Sequence, residues 1–318
     1  MENQANGLGK VNKKLTSVEK ATSIILKNIP VLSSHEEIVL NSLGKTLAKP
    51  VTALLSNPPS DVSSMDGYAL KNSDIDNGVL EFTVIDESVA GKSSSKTVAT
   101  MQTVRIFTGA KIPHGADRII LQEDVKRLGN NLIKINKNKL ENNNFFIRKT
   151  GMDFKLGEKL IDKGEVLNTR NISLCVASGN SWVTIRRKPK IGIISTGNEL
   201  LKFGEIQNSK NNDKIISSNG IFLFNFINQL GGEAFILPTA KDDIKSLTKI
   251  LDEANDLDLI ISSGGASVGD YDIVQRALEK NNFELLFWRI AMRPGKPLFF
   301  GLLEKIPFLG LPGNPVST

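Results

Sequence analysis

The chain has 318 residues, a net charge of +6, two histidines and a single cysteine. That length accommodates two or three domains with a real core, one cysteine excludes an internal disulfide, and His35 and His114 alone supply little for a zinc cluster or a Ser-His-Asp triad. No apolar run is long enough to cross a bilayer and the lysines are dispersed among asparagines, so the expectation is a cytoplasmic protein without membrane or nucleic-acid partners, whose positive excess attracts anionic substrates.

Residues 1–14 are small, polar and basic, and read as a disordered tail. Val18, Ala21, Ile24, Ile25 and Ile29 recur at helical spacing, which predicts a helix over residues 17–29 ended by Pro30. A second short helix is expected over residues 34–43, capped by Ser33 or Ser34 and stopped by Gly44. Residues 79–148 read as short strands between turns, at 80–85, 104–107, 118–121 and 132–135. A helix follows near 169–178, stopped by Gly179, with Cys175 as an inert core residue in its apolar stretch.

From Lys190 strand and helix alternate. Strands are expected at 191–194, 234–237 and 257–261, and near 285–290 and 297–300. Helices are expected at 220–230, at 244–254 with Asp242 as cap, and around Ile273, Val274, Ala277 and Leu278. The expected class is multidomain, α/β plus β-rich. Residues 15–50 and 146–189 form a discontinuous N-terminal linker domain, 51–145 a β-rich inserted domain, and 190–318 a three-layer α/β domain of doubly wound type.

Three loops of that last domain share one construction: a hydrophobic run, then glycine, with acids in two of the three. They are Ser195-Thr196-Gly197-Asn198-Glu199, the run from Ser262 through Gly264, Gly265, Ser267, Gly269, Asp270 and Asp272, and Gly310-Leu311-Pro312-Gly313-Asn314. Apolar runs such as 191–194 and 257–261 suit strands buried on both faces of a parallel sheet, and ligands of open α/β sheets bind beyond the carboxyl ends of such strands. Glycines let backbone N–H groups approach a phosphate, while the acids beside them would repel a bare one unless a cation intervenes. The combination predicts a site for a phosphorylated small molecule and a divalent metal.

Further segments recur in fixed order. They are Asp61-Val62-Ser63-Ser64-Met65-Asp66-Gly67-Tyr68-Ala69, Arg105-Ile106-Phe107-Thr108-Gly109-Ala110, Arg148 with Gly151 and Asp153, and Arg293-Pro294-Gly295-Lys296-Pro297. Together with the three loops they resemble the molybdopterin molybdenumtransferase family, MoeA and the gephyrin E domain, from about Leu15 to the end. Ser60 and Val62 depart from the phenylalanine and asparagine common around the first signature, and Thr150 stands where a third basic residue is frequent. The family continues into a C-terminal β-domain, and the resemblance implies a chain lacking it.

The resemblance implies a MogA-like molybdopterin-binding α/β domain after an elongated N-terminal region. It implies a reaction in which molybdate enters adenylylated molybdopterin and AMP is released, with Mg²⁺ as the metal. It further implies a homodimer with transient contacts to molybdopterin adenylyltransferase and acceptor molybdoenzymes. Glu199 and Asp272, with Asp270 as the weaker candidate, are the implied metal ligands. Glu199, Asp272, Asp66 and Asp153 are the implied catalytic acids. Implied substrate contacts are Thr108, Arg148, Ser195, Thr196, Gly197, Gly264, Gly265, Ser267, Gly269, Arg293, Lys296, Pro312 and Asn314. The alternatives are a truncated molybdopterin-binding or scaffold protein, and an adenylyltransferase-like activity.

Overall fold

The structure, a computed structural model, describes residues 15–140, 144–197, 199–201, 204, 214–239, 244–264, 274, 277–278 and 281–318. The tail at 1–14 and the cap at Asp242 lie outside these. The protein is a mixed α/β fold rich in strands. Its chain divides into two compact units, one formed by residues up to His35 together with Arg186–Thr318, the other by Glu36–Ile185.

The first unit is built on a six-stranded sheet. The strand order is Glu233–Ile236, Lys190–Ser195, Leu259–Ser263, Ile306–Leu311, Phe299–Leu303 and Phe283–Trp288. The first four are mutually parallel, and the last two run antiparallel as an extension. Alternate side chains face opposite layers. Ile193, Ile261 and Leu311 pack with Leu223 and Ile227 of the helix Ser218–Gln229. Ile194, Ile260 and Phe308 pack on the other side with Leu247, Ile250 and Leu251 of the helix Ile244–Asp252, and with Val274, Ala277 and Leu278. Both sheet faces are therefore covered, which is why these strands read as continuous apolar runs.

The helix Val18–Asn28 starts where the sequence predicts, with Ser17 Oγ accepting the Lys20 N–H at 3.3 Å. Its apolar face, Ala21, Ile24 and Ile25, packs on Phe287, Ile290 and Phe300 of the sheet. This helix belongs to the same compact unit as the α/β sheet. The strand Ile306–Leu311 is central to the sheet, although the sequence reading names none there.

The second unit holds a six-stranded sheet in the order Arg118–Leu121, Gly67–Leu70, Gln102–Ile106, Glu81–Ser88, Leu132–Ile135 and Val125–Arg127. Tyr68, Leu70, Phe82, Ile120, Ile133 and Ile135 form its core. A separate core gathers Val39, Leu47, Val51, Ile161, Leu167, Cys175, Val183 and Ile185. Cys175 sits on the helix Thr169–Ala177, fully buried, and burial pushes its thiol pKa up, as befits an inert core residue. The short helix expected over 34–43 does not form. Ser34–Ile38 is a strand, followed by a single 3-10 turn at Val39–Asn41 whose Val39 N–H donates to Ser181 O at 3.0 Å. No described helix is long and apolar enough to cross a membrane.

Candidate functional site

In the first unit the parallel strands end in register. Ser195 lies opposite Ser263, and Ser263 opposite Leu311, so the loops that follow leave one sheet edge side by side. The chain then goes opposite ways. After Ser195 it returns through the helix on one face, and after Ser263 it leads to Val274, Ala277 and Leu278 on the other face. Such a reversal is the topological switch point where open α/β sheets bind ligands.

The loops interlock through their backbones. Thr196 N–H donates to Ser263 O at 3.2 Å, and Gly264 N–H donates to Leu311 O at 3.1 Å. Gly264 has φ +96, and a Cβ there would lie 2.8 Å from both Thr196 O and Thr196 Oγ1. Only glycine fits this approach. Ser217 Oγ donates to Ser195 Oγ at 3.2 Å, tying the strand end to the start of the helix. Asn219, which the sequence reading misses, donates from Nδ2 to Ser263 Oγ at 2.8 Å and to Gly313 O at 2.9 Å.

Glu199 is the described acid of this edge. Gly197 has φ +144, and a Cβ there would stand 2.5 Å from each Glu199 carboxylate oxygen, so the glycine makes room for the acid to fold back over its own loop. Its carboxylate offers the hard oxygen ligands a divalent cation takes. Among the described residues no three His, Cys, Asp or Glu side chains gather as a metal site. Asp270 and Asp272, together with Gly265, Ser267 and Gly269, lie outside the described residues.

Arg293 and Lys296 are exposed on the connection between Phe283–Trp288 and Phe299–Leu303. That connection reaches the same edge, because Phe299 begins its strand opposite Gly310 near the end of the neighbouring one. Pro312 and Asn314 belong to a closed turn. Thr318 Oγ1 donates to Pro312 O at 2.6 Å, and Val316 N–H donates to Asn314 Oδ1 at 3.0 Å. Asn314 Oδ1 therefore works within its own turn.

The candidate residues of the second unit form a second group, on segments 61–66, 107–111 and 147–153. Ser63 pairs with Ile147 and Val62 with Arg148, while Gly109 N–H donates to Ser63 O at 2.8 Å. Asp66 Oδ1 accepts from both Thr108 N–H and Thr108 Oγ1 at 2.8 Å, and the first of these contacts is the main cause holding its carboxyl below the usual range. Arg148 grips both oxygens of Asp153 at 2.8 Å, and Asn57 Nδ2 donates to Asp153 Oδ2 at 3.2 Å. Asp61 takes the Lys149 ammonium at 2.8 Å, the leading cause of its lowered pKa, and the Thr150 N–H at 2.9 Å. The structure thus joins Asp66 to Thr108 and Arg148 to Asp153, and adds Asp61 and Arg105. Arg105 donates to Gly67 O at 2.9 Å and to Gln122 Oε1 at 2.5 Å, with its guanidinium over the Tyr68 and Phe107 rings. It braces the turn that carries Asp66.

Comparison with known proteins follows the same division. The family described as "MoeA N-terminal region (domain I and II)" matches residues 16–179, and "Probable molybdopterin binding domain" matches residues 192–318. The molybdopterin molybdenumtransferase of Nostoc sp. is 32% identical over 316 residues, which cover 96% of this chain and 71% of that protein. The enzyme of the same name from Haemophilus influenzae is 33% identical, with 96% of this chain and 74% of that protein covered. Among solved structures, a molybdopterin biosynthesis MoeA protein from Pyrococcus horikoshii superposes with a TM-score of 0.82 at 32% identity, over 96% of this chain and 76% of that one. With both of its halves matched in order, and with relatives above 30% identity covered over more than two thirds of their length, the chain belongs to the molybdopterin molybdenumtransferase family.

Proposed function

We propose that this protein inserts molybdate into adenylylated molybdopterin and releases AMP. The observation that carries the reading is the interlocked, glycine-flanked rim formed where the strands ending at Ser195, Ser263 and Leu311 stop in register at the switch point. In the proposed reaction a water oxygen bonds to a phosphorus of the anhydride and the P–O–P linkage breaks. AMP departs, and the two pterin dithiolene thiols bond to molybdenum as one molybdate oxygen leaves as water with both thiol protons, the metal keeping its oxidation state.

The chain's own residues bind and orient. The loop that opens at Gly264, whose own N–H is held by Leu311 O, is with Gly265, Ser267 and Gly269 the proposed phosphate cradle, aided by the partial positive charge at the start of the helix Ser218–Gln229. Arg293 and Lys296 attract the anionic substrates. Glu199, with Asp272 and Asp270, is the proposed Mg²⁺ ligand set, and the cation would offset charge as the anhydride breaks. Asp66, Thr108, Arg148 and Asp153 complete the cleft in the proposed homodimer, supplied by a second copy. Work in the cytoplasm, with transient contact to an adenylyltransferase and to acceptor molybdoenzymes, belongs to the same proposal.

The test is AMP release from adenylylated molybdopterin by purified protein, with molybdate and Mg²⁺ each omitted in turn. Release that requires both, with formation of molybdenum cofactor, supports the reading. Binding without release favours the scaffold alternative, and pyrophosphate release from ATP the adenylyltransferase one.

A further inference from the structure

The geometry points to Asn219 as the positioning residue that fixes the spacing of two of the rim's loops, and through it the affinity for the phosphorylated substrate. Asn219 sits in the first turn of the helix Ser218–Gln229, half-buried. Its Nδ2 lies 2.8 Å from Ser263 Oγ, 2.9 Å from Gly313 O and 3.2 Å from Thr318 Oγ1. A main-chain carbonyl only accepts, so the group facing Gly313 is the NH₂. An NH₂ has two hydrogens, and the two short contacts use them, one to each loop.

Three further contacts make this a designed junction of loops. A Cβ added to Gly313 would touch the Gly264 backbone at 3.5 Å, so the two loops already meet at van der Waals distance. Gly264 N–H is committed to Leu311 O at 3.1 Å. On the far side Ser217, two residues before Asn219, is bonded to Ser195 at 3.2 Å. One amide thus connects the helix start to the ends of the strands Leu259–Ser263 and Ile306–Leu311, while its neighbour Ser217 connects the same helix to the end of Lys190–Ser195. Asn219 is a positioning residue and not a catalytic one. It acts by holding the backbone N–H groups of the rim at one separation, and substrate binding depends on that separation.

The inference rests on the functional reading above, and its test separates the two. Asn219→Asp keeps the size of the side chain but turns a donor toward Gly313 into a repelling acceptor, and Asn219→Ala removes the tie. The dissociation constant for adenylylated molybdopterin, measured without molybdate, is expected to rise ~10-fold or more in both, the loss of one or two well-made hydrogen bonds. KM for AMP release rises in parallel while kcat stays within about threefold, because the machinery of the step is untouched. Asn225→Ala, on the same helix but with its amide donating back to Ile221 O at 2.9 Å, is expected to bind as wild type. Should both Asn219 variants fail to fold, Ser263→Ala removes one of the two acceptors and weakens binding in the same direction by about threefold.

Wild-type affinity in the Asn219 variants, or a loss confined to kcat, overturns the inference while AMP release by the wild type upholds the functional reading. Substrate binding by the wild type without AMP release overturns the functional reading, and the affinity of the variants then decides the role of Asn219 alone.

Discussion

Thr108 reaches Asp66 twice on the same atom: its N–H and its hydroxyl both donate to Asp66 Oδ1, each at 2.8 Å. Asp66 Oδ1 is thereby turned toward the Thr108 turn, which fixes the carboxylate and directs the second oxygen, Oδ2, elsewhere. Thr108→Val keeps the backbone donor and deletes the hydroxyl. The expected outcome is about a tenfold fall in kcat/KM for AMP release, the scale of one hydrogen bond to a charged acceptor. Unchanged kcat/KM would remove Thr108 from the cleft.

Asp61 and Asp66 set a pH dependence. Both carboxyls titrate below their ordinary value of 3.8, Asp61 because of Lys149 first and then Thr150, Asp66 because of the Thr108 N–H first and then its hydroxyl. A carboxyl with a depressed folded pKa stabilises the fold above its unfolded pKa, and that stabilisation is lost as pH falls through the folded value. The ties to Thr108 and Thr150 are therefore intact through neutral pH and loosen only below 3.8. Amide resonances of Thr108 and Thr150 followed by NMR are expected to move with midpoints under that value. A midpoint at or above it contradicts the assignment.

Gly264 and Gly231 separate backbone strain from crowding. Both have positive φ, +96 and +90, but an added Cβ meets Thr196 O and Oγ1 at 2.8 Å in the first case and nothing within 4 Å in the second. Gly231→Ala is expected to cost about 1 kcal/mol, from the left-handed backbone alone. Gly264→Ala adds displacement of the Thr196 loop, so it costs about 2–4 kcal/mol and weakens substrate binding. Denaturant unfolding of both variants checks the difference, and equal destabilisation would mean that the Gly264 approach does not constrain the rim.

The sequence makes the α/β half legible wherever burial is two-sided. Residues 191–194 and 259–261 carry no polar side chain because helices cover both faces, and the two strands stop together at Ser195 and Ser263, just before the glycines Gly197 and Gly264. The strand Ile306–Leu311 is hidden by Pro307, which argues against a central strand. The structure tolerates it because the parallel ladder to the neighbouring strand begins only at Phe308, opposite Ile260. Ser34–Ile38 misleads in the opposite way. Serine before it and Gly44 after it are real helix signals, yet only a three-residue turn forms, and tertiary pairing overrides local propensity. At the site, motif residues name Asp66, Thr108, Arg148 and Asp153 but not how they pair. Asn219 is missed because its partners are 44 and 94 residues distant, and no local pattern reports them.

Glu199 gives the most direct test of the metal. Its carboxylate folds over Gly197 at the edge where Lys296 also arrives, so a cation held there would sit between an acid and the incoming phosphates. Glu199→Gln preserves shape and removes the charge, lowering affinity for a hard divalent ion without touching the strand beneath it. Chelation is expected to stop AMP release by the wild type, and added Mg²⁺ to restore it. In the variant, half-maximal release is expected to need at least ~10-fold more Mg²⁺, as loss of a direct charged ligand implies. The thermal midpoint is expected to stay within a few degrees, because Glu199 is exposed. An unchanged Mg²⁺ requirement would assign the metal to other acids and leave Glu199 a shaper of its loop.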